Sequence, residues 1–166
     1  MTPLVVGIDP GTKQSAFVAW DGDYIRDVAT MENPKVAKYL RSIDRDACVC
    51  IENIEPYGLV VGKEVLETMF WIGRFFQVAR DTVGPKQVSR LPRRAVKKHL
   101  RIGKGGDKEV RAALIRQLEH HPIDWHDLKS HQFAALGIAV CWWNTERARQ
   151  PLKGQEPQHA DVILSS

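Results

Sequence analysis

The sequence predicts an α/β domain built on one sheet with helices packed around it, and three observations carry that prediction. The chain opens on a short apolar run, Leu4 to Ile8, that passes straight into Asp9-Pro10-Gly11-Thr12. A two-residue hairpin signal, Asp21-Gly22, follows one strand later. Beyond it, apolar segments of strand length alternate with segments whose apolar residues recur every three or four positions. A hairpin region followed by strand–helix alternation implies a mixed sheet whose first three strands form an antiparallel meander.

The elements follow in order. Residues 4–9 and 15–21 read as strands joined by the glycine turn, and 24–30 as the third strand. Asn33-Pro34 supplies an N-cap and a first-turn proline. Val36, Tyr39, Leu40 and Ile43 then recur at helical spacing. Residues 47–51 form a fourth strand ending at Glu52, and a loop over 53–62 holds Pro56-Tyr57-Gly58. A long helix is expected over 63–80, with Leu66, Met69, Phe70, Phe75 and Phe76 among its apolar residues. Residues 87–91 read as the fifth strand. A short apolar stretch over 96–100 leads into Gly103-Lys104-Gly105-Gly106, after which Asp107 caps a helix bearing Val110, Leu114 and Leu118 on one face. A last helix is expected from about residue 127 to 144. The domain is therefore 1–144, and 145–166 reads as a polar, flexible tail interrupted by Pro151, Gly154 and Pro157.

At 166 residues the chain makes one domain with a core of useful size. No apolar run approaches the roughly 18 residues that span a membrane, and no signal peptide is apparent at the N-terminus. The three cysteines exclude a closed disulfide framework by their odd number. Cys48 and Cys50 point to one face of a strand and Cys141 lies in an apolar helix, as reduced core thiols of a cytoplasmic protein do. His120, His121 and His126 fit no zinc spacing. The net charge of +4 is modest, so its distribution matters more than its total.

Three residues carry chemistry. Asp9 ends the first strand and Glu52 the fourth. If those strands are neighbours, the two carboxylates converge at one edge of the sheet, and His131, near the start of the last helix, completes a metal cage there. Hard oxygen ligands suit Mg²⁺ or Mn²⁺, and an imidazole shifts the preference toward Mn²⁺. Two such ions about 3.5–4 Å apart clamp the attacking and leaving oxygens of a phosphodiester. Each residue also has a plainer reading: Asp9 as a turn residue bonding the backbone of Gly11 or Thr12, Glu52 as an ordinary strand-end carboxylate, His131 as a surface histidine.

Gly7-Ile8-Asp9-Pro10-Gly11-Thr12, the Ile51-Glu52 strand end and the helix Ala135-Leu136-Gly137-Ile138-Ala139 together resemble the RuvC-type Holliday-junction resolvases of the ribonuclease-H-like superfamily. Ile51-Glu52-Asn53-Ile54-Glu55-Pro56-Tyr57-Gly58 and Val61-Gly62-Lys63-Glu64-Val65-Leu66-Glu67-Thr68 look closest to the phage and prophage branch. The similarity spans roughly residues 3–143. It implies a ribonuclease-H-like mixed five-stranded sheet flanked by helices. It also implies a homodimer that binds four-way DNA junctions and, with Mg²⁺ or Mn²⁺ and two ions at full occupancy, nicks two strands symmetrically. Of the family's four metal positions, Asp9, Glu52 and His131 match the first three. The fourth, normally an aspartate one helical turn later, is Ala134. Either three protein ligands and more water suffice, or a neighbour substitutes, or the position was mutated. Asp127, one turn before His131, is a candidate substitute or else the helix N-cap. The family's two catalytic lysines fall on Lys97 and Lys108, where their role is to hold and neutralise the scissile phosphate. Its apolar wedge falls on Glu55, so Tyr57 is either a shifted wedge stacked on an unpaired base or a loop-packing residue. Actin-like ATPases and sugar kinases begin with a similar turn, but they need two such domains, and no second phosphate loop is present.

The stretch from Lys86 to Lys108 also holds Arg90, Arg93, Arg94, Lys97, Lys98, Arg101 and Lys104, with Asp107 its only acid. Such a run is ordinarily a solvated face. After a nuclease-like first half it suits contacts with DNA phosphates. The helix around Met69–Phe76, with Trp71, is apolar on more than one side, as expected if one side packs the core and another a second subunit. Two other functions remain open: a junction-binding protein with weak or no catalysis because of Ala134, and a nuclease for other branched or single-stranded DNA.

Overall fold

A computed structural model of the chain describes residues 4–55, 58 and 60–146. Tyr57, and the tail beyond residue 146, lie outside these described residues. The strands are β1 (Val5–Asp9), β2 (Gln14–Trp20), β3 (Ile25–Glu32), β4 (Cys48–Asn53) and β5 (Val88–Pro92). The helices are α1 (Asn33–Ser42), α2 (Lys63–Val83), α3 (Arg93–His99), α4 (Asp107–Gln117) and α5 (Ser130–Glu146), with one 3₁₀ turn at Pro85–Gln87. The strands form one mixed five-stranded sheet in the order β3-β2-β1-β4-β5. β1–β2 and β2–β3 are antiparallel, the expected meander, while β1–β4 and β4–β5 are parallel.

Alternation along the strands divides the core into two layers. Val6, Ile8, Phe17, Val49 and Ile51 face α1 and α2, where they meet Val36, Leu40, Ile72 and Phe75. Val5, Val18, Cys48 and Cys50 face the other way, against Val96, Val110, Leu114 and the apolar residues of α5. Helix α5 is buried from Gln132 almost without break to Trp143, because the sheet lies on one side of it and α3 and α4 lie on the other. Its near-uniform apolarity is what a helix between two layers requires. Full burial of side chains such as Phe17, Phe75 and Leu136 contributes about 2–3 kcal/mol each to the hydrophobic term.

Several elements differ from the sequence expectation, each for a local reason. Helix α5 starts at Ser130 and not near residue 127, because Lys129 takes the cap: the Gln132 side chain accepts its backbone N–H at 2.9 Å. Asp127 instead sits exposed in a turn, so the helical spacing that paired it with His131 does not exist. Asn33 is not a cap but the first residue of α1, and it is fully buried. Helix α2 runs on to Val83 and stops at Gly84, whose φ of 92° continues no right-handed helix. Helix α3 is an addition, since a short basic segment with one buried residue, Val96, shows no periodicity to read. The three cysteines are free and buried, as expected.

Candidate active site

β1 and β4 are neighbours, and their register pairs Gly7 with Cys50 and Ile8 with Ile51. One step further, Asp9 and Glu52 leave the carboxyl ends of adjacent parallel strands on the face that carries α5. The third side chain is brought in by close packing. A Cβ at Gly7 would lie 2.3 Å from the Ala135 carbonyl oxygen, so only glycine lets α5 settle this close to β1. Two residues beyond Gly7 stands Asp9, and one turn before Ala135 stands His131. Their side chains meet: His131 Nδ1 lies 2.8 Å from Asp9 Oδ2. Asp9 is largely buried at 13% side-chain exposure, whereas His131 is 76% exposed. With Nδ1 engaged, Nε2 is the remaining nitrogen of the ring.

The turn after Asp9 is fixed from behind. The Ser15 hydroxyl accepts the Gly11 backbone N–H at 3.1 Å and donates to Asn33 Oδ1 at 2.6 Å, and Asn33 Nδ2 donates to the Gly11 carbonyl at 2.9 Å. The Asn33 backbone N–H adds a bond to the Lys13 carbonyl at 3.0 Å. None of the buried side-chain atoms in this network lacks a partner, and together the bonds brace the turn. Neither Ser15 nor Asn33 reads as part of a site in sequence. The available signal is two small polar residues flanking strands that are otherwise apolar.

The resulting cleft, of about 200 Å³, is lined by Asp9, Pro10, Glu52, Ile54, Arg93, Asp107, Ser130, His131 and Ala134. Burial first, and then the neighbouring Asp9 carboxylate, push the Glu52 carboxyl up to about 7, while Arg93 opposes the rise. Arg93 Nη1 lies 3.5 Å from Glu52 Oε1, and Nη2 bonds Asp107 Oδ1, so one guanidinium spans two carboxylates. Among the described residues, no three His, Cys, Asp or Glu side chains gather closely enough to ligate one ion as they stand. The donor chemistry nonetheless fits a hard divalent cation. Glu52 is buried beside a second carboxylate, so a positive charge there relieves the cost of its ionisation, and an imidazole stands at the edge of the pair. Ala134 lines the cleft and offers no donor. Past Asp9 and His131, which form a shared wall, a second groove of about 530 Å³ continues over Thr12, Lys13, Thr30 and Glu32.

The basic stretch does not make one face. Arg93 is inside the cleft, a place its run of neighbours does not reveal, and Arg94 pairs with Glu55 at 3.0 Å. Arg90 lies over the Phe76 ring at 5.0 Å, on the α2 side of the sheet. Lys86 sits in the 3₁₀ turn before β5, at the end of the sheet away from the cleft. Lys97 and Lys108 do not line the cleft, but both lie near Glu109, whose carboxyl is held low chiefly by backbone N–H bonds and further by these two ammonium groups. Lys98, Arg101 and Lys104 are exposed around the α3–α4 connection. Asp127 is absent from the cleft lining. Asp107 is the residue that sequence assigns only to capping; it is the first residue of α4, after a Gly106 cap, and it reaches the cleft. Its standing as the one acid in a basic run was the available signal.

No family model matches the sequence, and no curated protein matches it closely. Among solved structures, RuvC of Thermus thermophilus in complex with Holliday junction substrate is similar over 87% of this chain and 96% of its own, with 17% identity and a TM-score of 0.67. A further Thermus thermophilus RuvC structure is similar over 88% of this chain and 96% of its own, with 20% identity and a TM-score of 0.65. The similarity covers nearly the whole of both chains, and the chain has the ribonuclease-H-like fold of RuvC.

Proposed function

We propose that the chain is a divalent-metal-dependent endonuclease that resolves four-way DNA junctions by nicking two strands symmetrically, on the phage-like branch of its fold and in the cytoplasm. The observation that supports this most is the convergence of Asp9, Glu52 and His131 in one cleft of a fold shared with a protein solved on a Holliday junction. Asp9 and Glu52 would hold Mg²⁺ or Mn²⁺ with His131 beside them; when bound, such an ion supplies Lewis acidity toward a phosphodiester. The chain's own residues do the rest. The Ser15–Asn33 network holds the Asp9 turn, Arg93 brings positive charge to the cleft, and Lys97 and Lys108, both beside Glu109, would guide the DNA backbone. The groove over Thr12 and Lys13 offers the strand a path past the Asp9–His131 wall.

A homodimer suits a two-fold junction. Leu66 and Phe70 are 58% and 59% exposed on α2, with Met69 at 43% between them, an apolar strip that a second copy would cover. No helix among the described residues is long and apolar enough to cross a membrane.

The test is cleavage of a synthetic four-way junction in Mn²⁺. Asp9→Asn should abolish product while leaving junction binding within a few-fold of wild type; cleavage at the wild-type rate sinks the proposal. Ala134 favours a second reading, a junction binder with little catalysis, which tight binding without product by the unaltered chain would establish. A panel of forks, flaps and single strands separates junction resolution from broader nuclease activity.

A further inference from the structure

Arg93 has a position that a general DNA-contact residue does not need. β5 ends at Pro92 and α3 begins at Arg93 with no loop between them, and the register sets Pro92 beside Asn53. The Arg93 backbone is thereby fixed next to the strand end that carries Glu52. Its guanidinium then lies between Glu52 on one side and Asp107 on the other. The side chain keeps 38% exposure, so it is held inside the cleft yet open to a ligand entering it.

The charges of the cleft constrain what else it can hold. Its acidic side chains are Asp9, Glu52 and Asp107, its cationic side chain is Arg93, and Ala134 contributes nothing. Two negative charges therefore remain, which one divalent ion balances. A pair of ions about 3.5–4 Å apart would have to share Asp9, leaving Glu52 to one ion and only the His131 imidazole to the other. Beyond Asp9 and Glu52 the one carboxylate left in this cleft among the described residues is Asp107, and a guanidinium already occupies it.

We propose that this cleft works with one divalent ion, at Asp9 and Glu52, and that Arg93 supplies the second positive centre by binding a non-bridging oxygen of the scissile phosphate. Asp107 is the positioning residue that aims it. A planar guanidinium suits the task because it can face a carboxylate and a phosphate oxygen together. The inference rests on the nuclease reading and deepens it: it assigns the role of the ion that Ala134 leaves without a carboxylate.

The experiment counts Mn²⁺ bound per chain, by the loss of the free-ion electron paramagnetic resonance signal on titration, and follows single-turnover junction cleavage in the same samples. The unaltered chain should bind one Mn²⁺. Arg93→Gln should still bind one, at equal or tighter affinity, while cleavage falls about 10²–10³-fold, the loss typical of removing one preorganised charge donor. Arg93→Lys should recover part of the rate. Asp107→Asn should slow cleavage about tenfold without weakening Mn²⁺ binding, since misaiming a group costs less than deleting it. The double variant Arg93→Gln/Ala134→Asp should bind two ions. Two ions on the unaltered chain, unimpaired cleavage by Arg93→Gln, or a tenfold loss of Mn²⁺ affinity in Asp107→Asn would each overturn this inference and leave the nuclease reading standing. A chain that binds no Mn²⁺ at all overturns both.

Discussion

Replacing Gly7 by alanine tests how closely the site depends on the β1–α5 seam. The added Cβ would lie 2.3 Å from the Ala135 carbonyl oxygen, 2.8 Å from the Ala139 nitrogen and 2.9 Å from the Ala139 Cβ. None of these atoms can rotate away, so β1 and α5 must separate by roughly 1 Å to restore the ~3.3 Å at which carbon and a carbonyl oxygen normally meet. Overpacking of this kind costs about 1–3 kcal/mol. At a typical urea dependence of about 2 kcal/mol per molar, the unfolding midpoint should fall by roughly 0.5–1.5 M. The same displacement carries His131 off Asp9, stretching a 2.8 Å contact beyond hydrogen-bonding range. Junction cleavage should then fall on the order of 10²-fold, the effect of misplacing a catalytic group by about 1 Å. Urea unfolding followed by circular dichroism and single-turnover cleavage of a labelled junction read the two effects separately. A midpoint within about 0.2 M of wild type, well short of the expected fall, together with undiminished cleavage would refute the view that this contact sets the site.

Asn33→Ala strands the Ser15 hydroxyl and the Gly11 carbonyl, and should cost about 2–4 kcal/mol in the same unfolding assay, well above an ordinary surface change. Lys97→Ala and Lys108→Ala should each slow cleavage by about tenfold and lower the salt slope of junction binding by about one if they reach the phosphate backbone; unchanged slopes would assign them to Glu109 alone. Burial pushes Cys48 and Cys141 up to about 11 and Cys50 to about 12, so none is a thiolate near neutral pH. A thiol-reactive disulfide reagent should therefore label none of them in the native chain and all of them in urea, and rapid native labelling would contradict the packing described.

Much of the fold is legible in the sequence because its signals are local. The Asp21-Gly22 turn, the alternating strands and the glycine turn at Asp9 each act over a few residues, and the meander follows from them. The Asp9–Glu52 pair needed only one further fact, that β1 and β4 are adjacent. What the sequence hid was set by tertiary neighbours. Asn33 looks like a cap because asparagine before proline usually is one, yet burial against Ser15 and Gly11 gives it a different partner. Asp127 matched a helical spacing in a segment that is not helical. The basic run looked like one surface, but the β5–α3 junction turns Arg93 inward while Arg90 packs on Phe76 across the sheet. A linear charge pattern carries no information about that turn.

The strand order leaves β3 and β5 at the margins of the sheet, each with a free row of backbone donors and acceptors. Such margins invite chains to join edge to edge into fibres. Both are blunted here. β3 exposes Arg26, Asp27 and Glu32 along its length, with Arg26 tied to Asp21 and Glu32 to Lys35. β5 is five residues long and ends in proline. The exposed apolar side chains Leu66, Met69 and Phe70 lie instead on a helix, so the surface left open to association is helical and not the sheet margin.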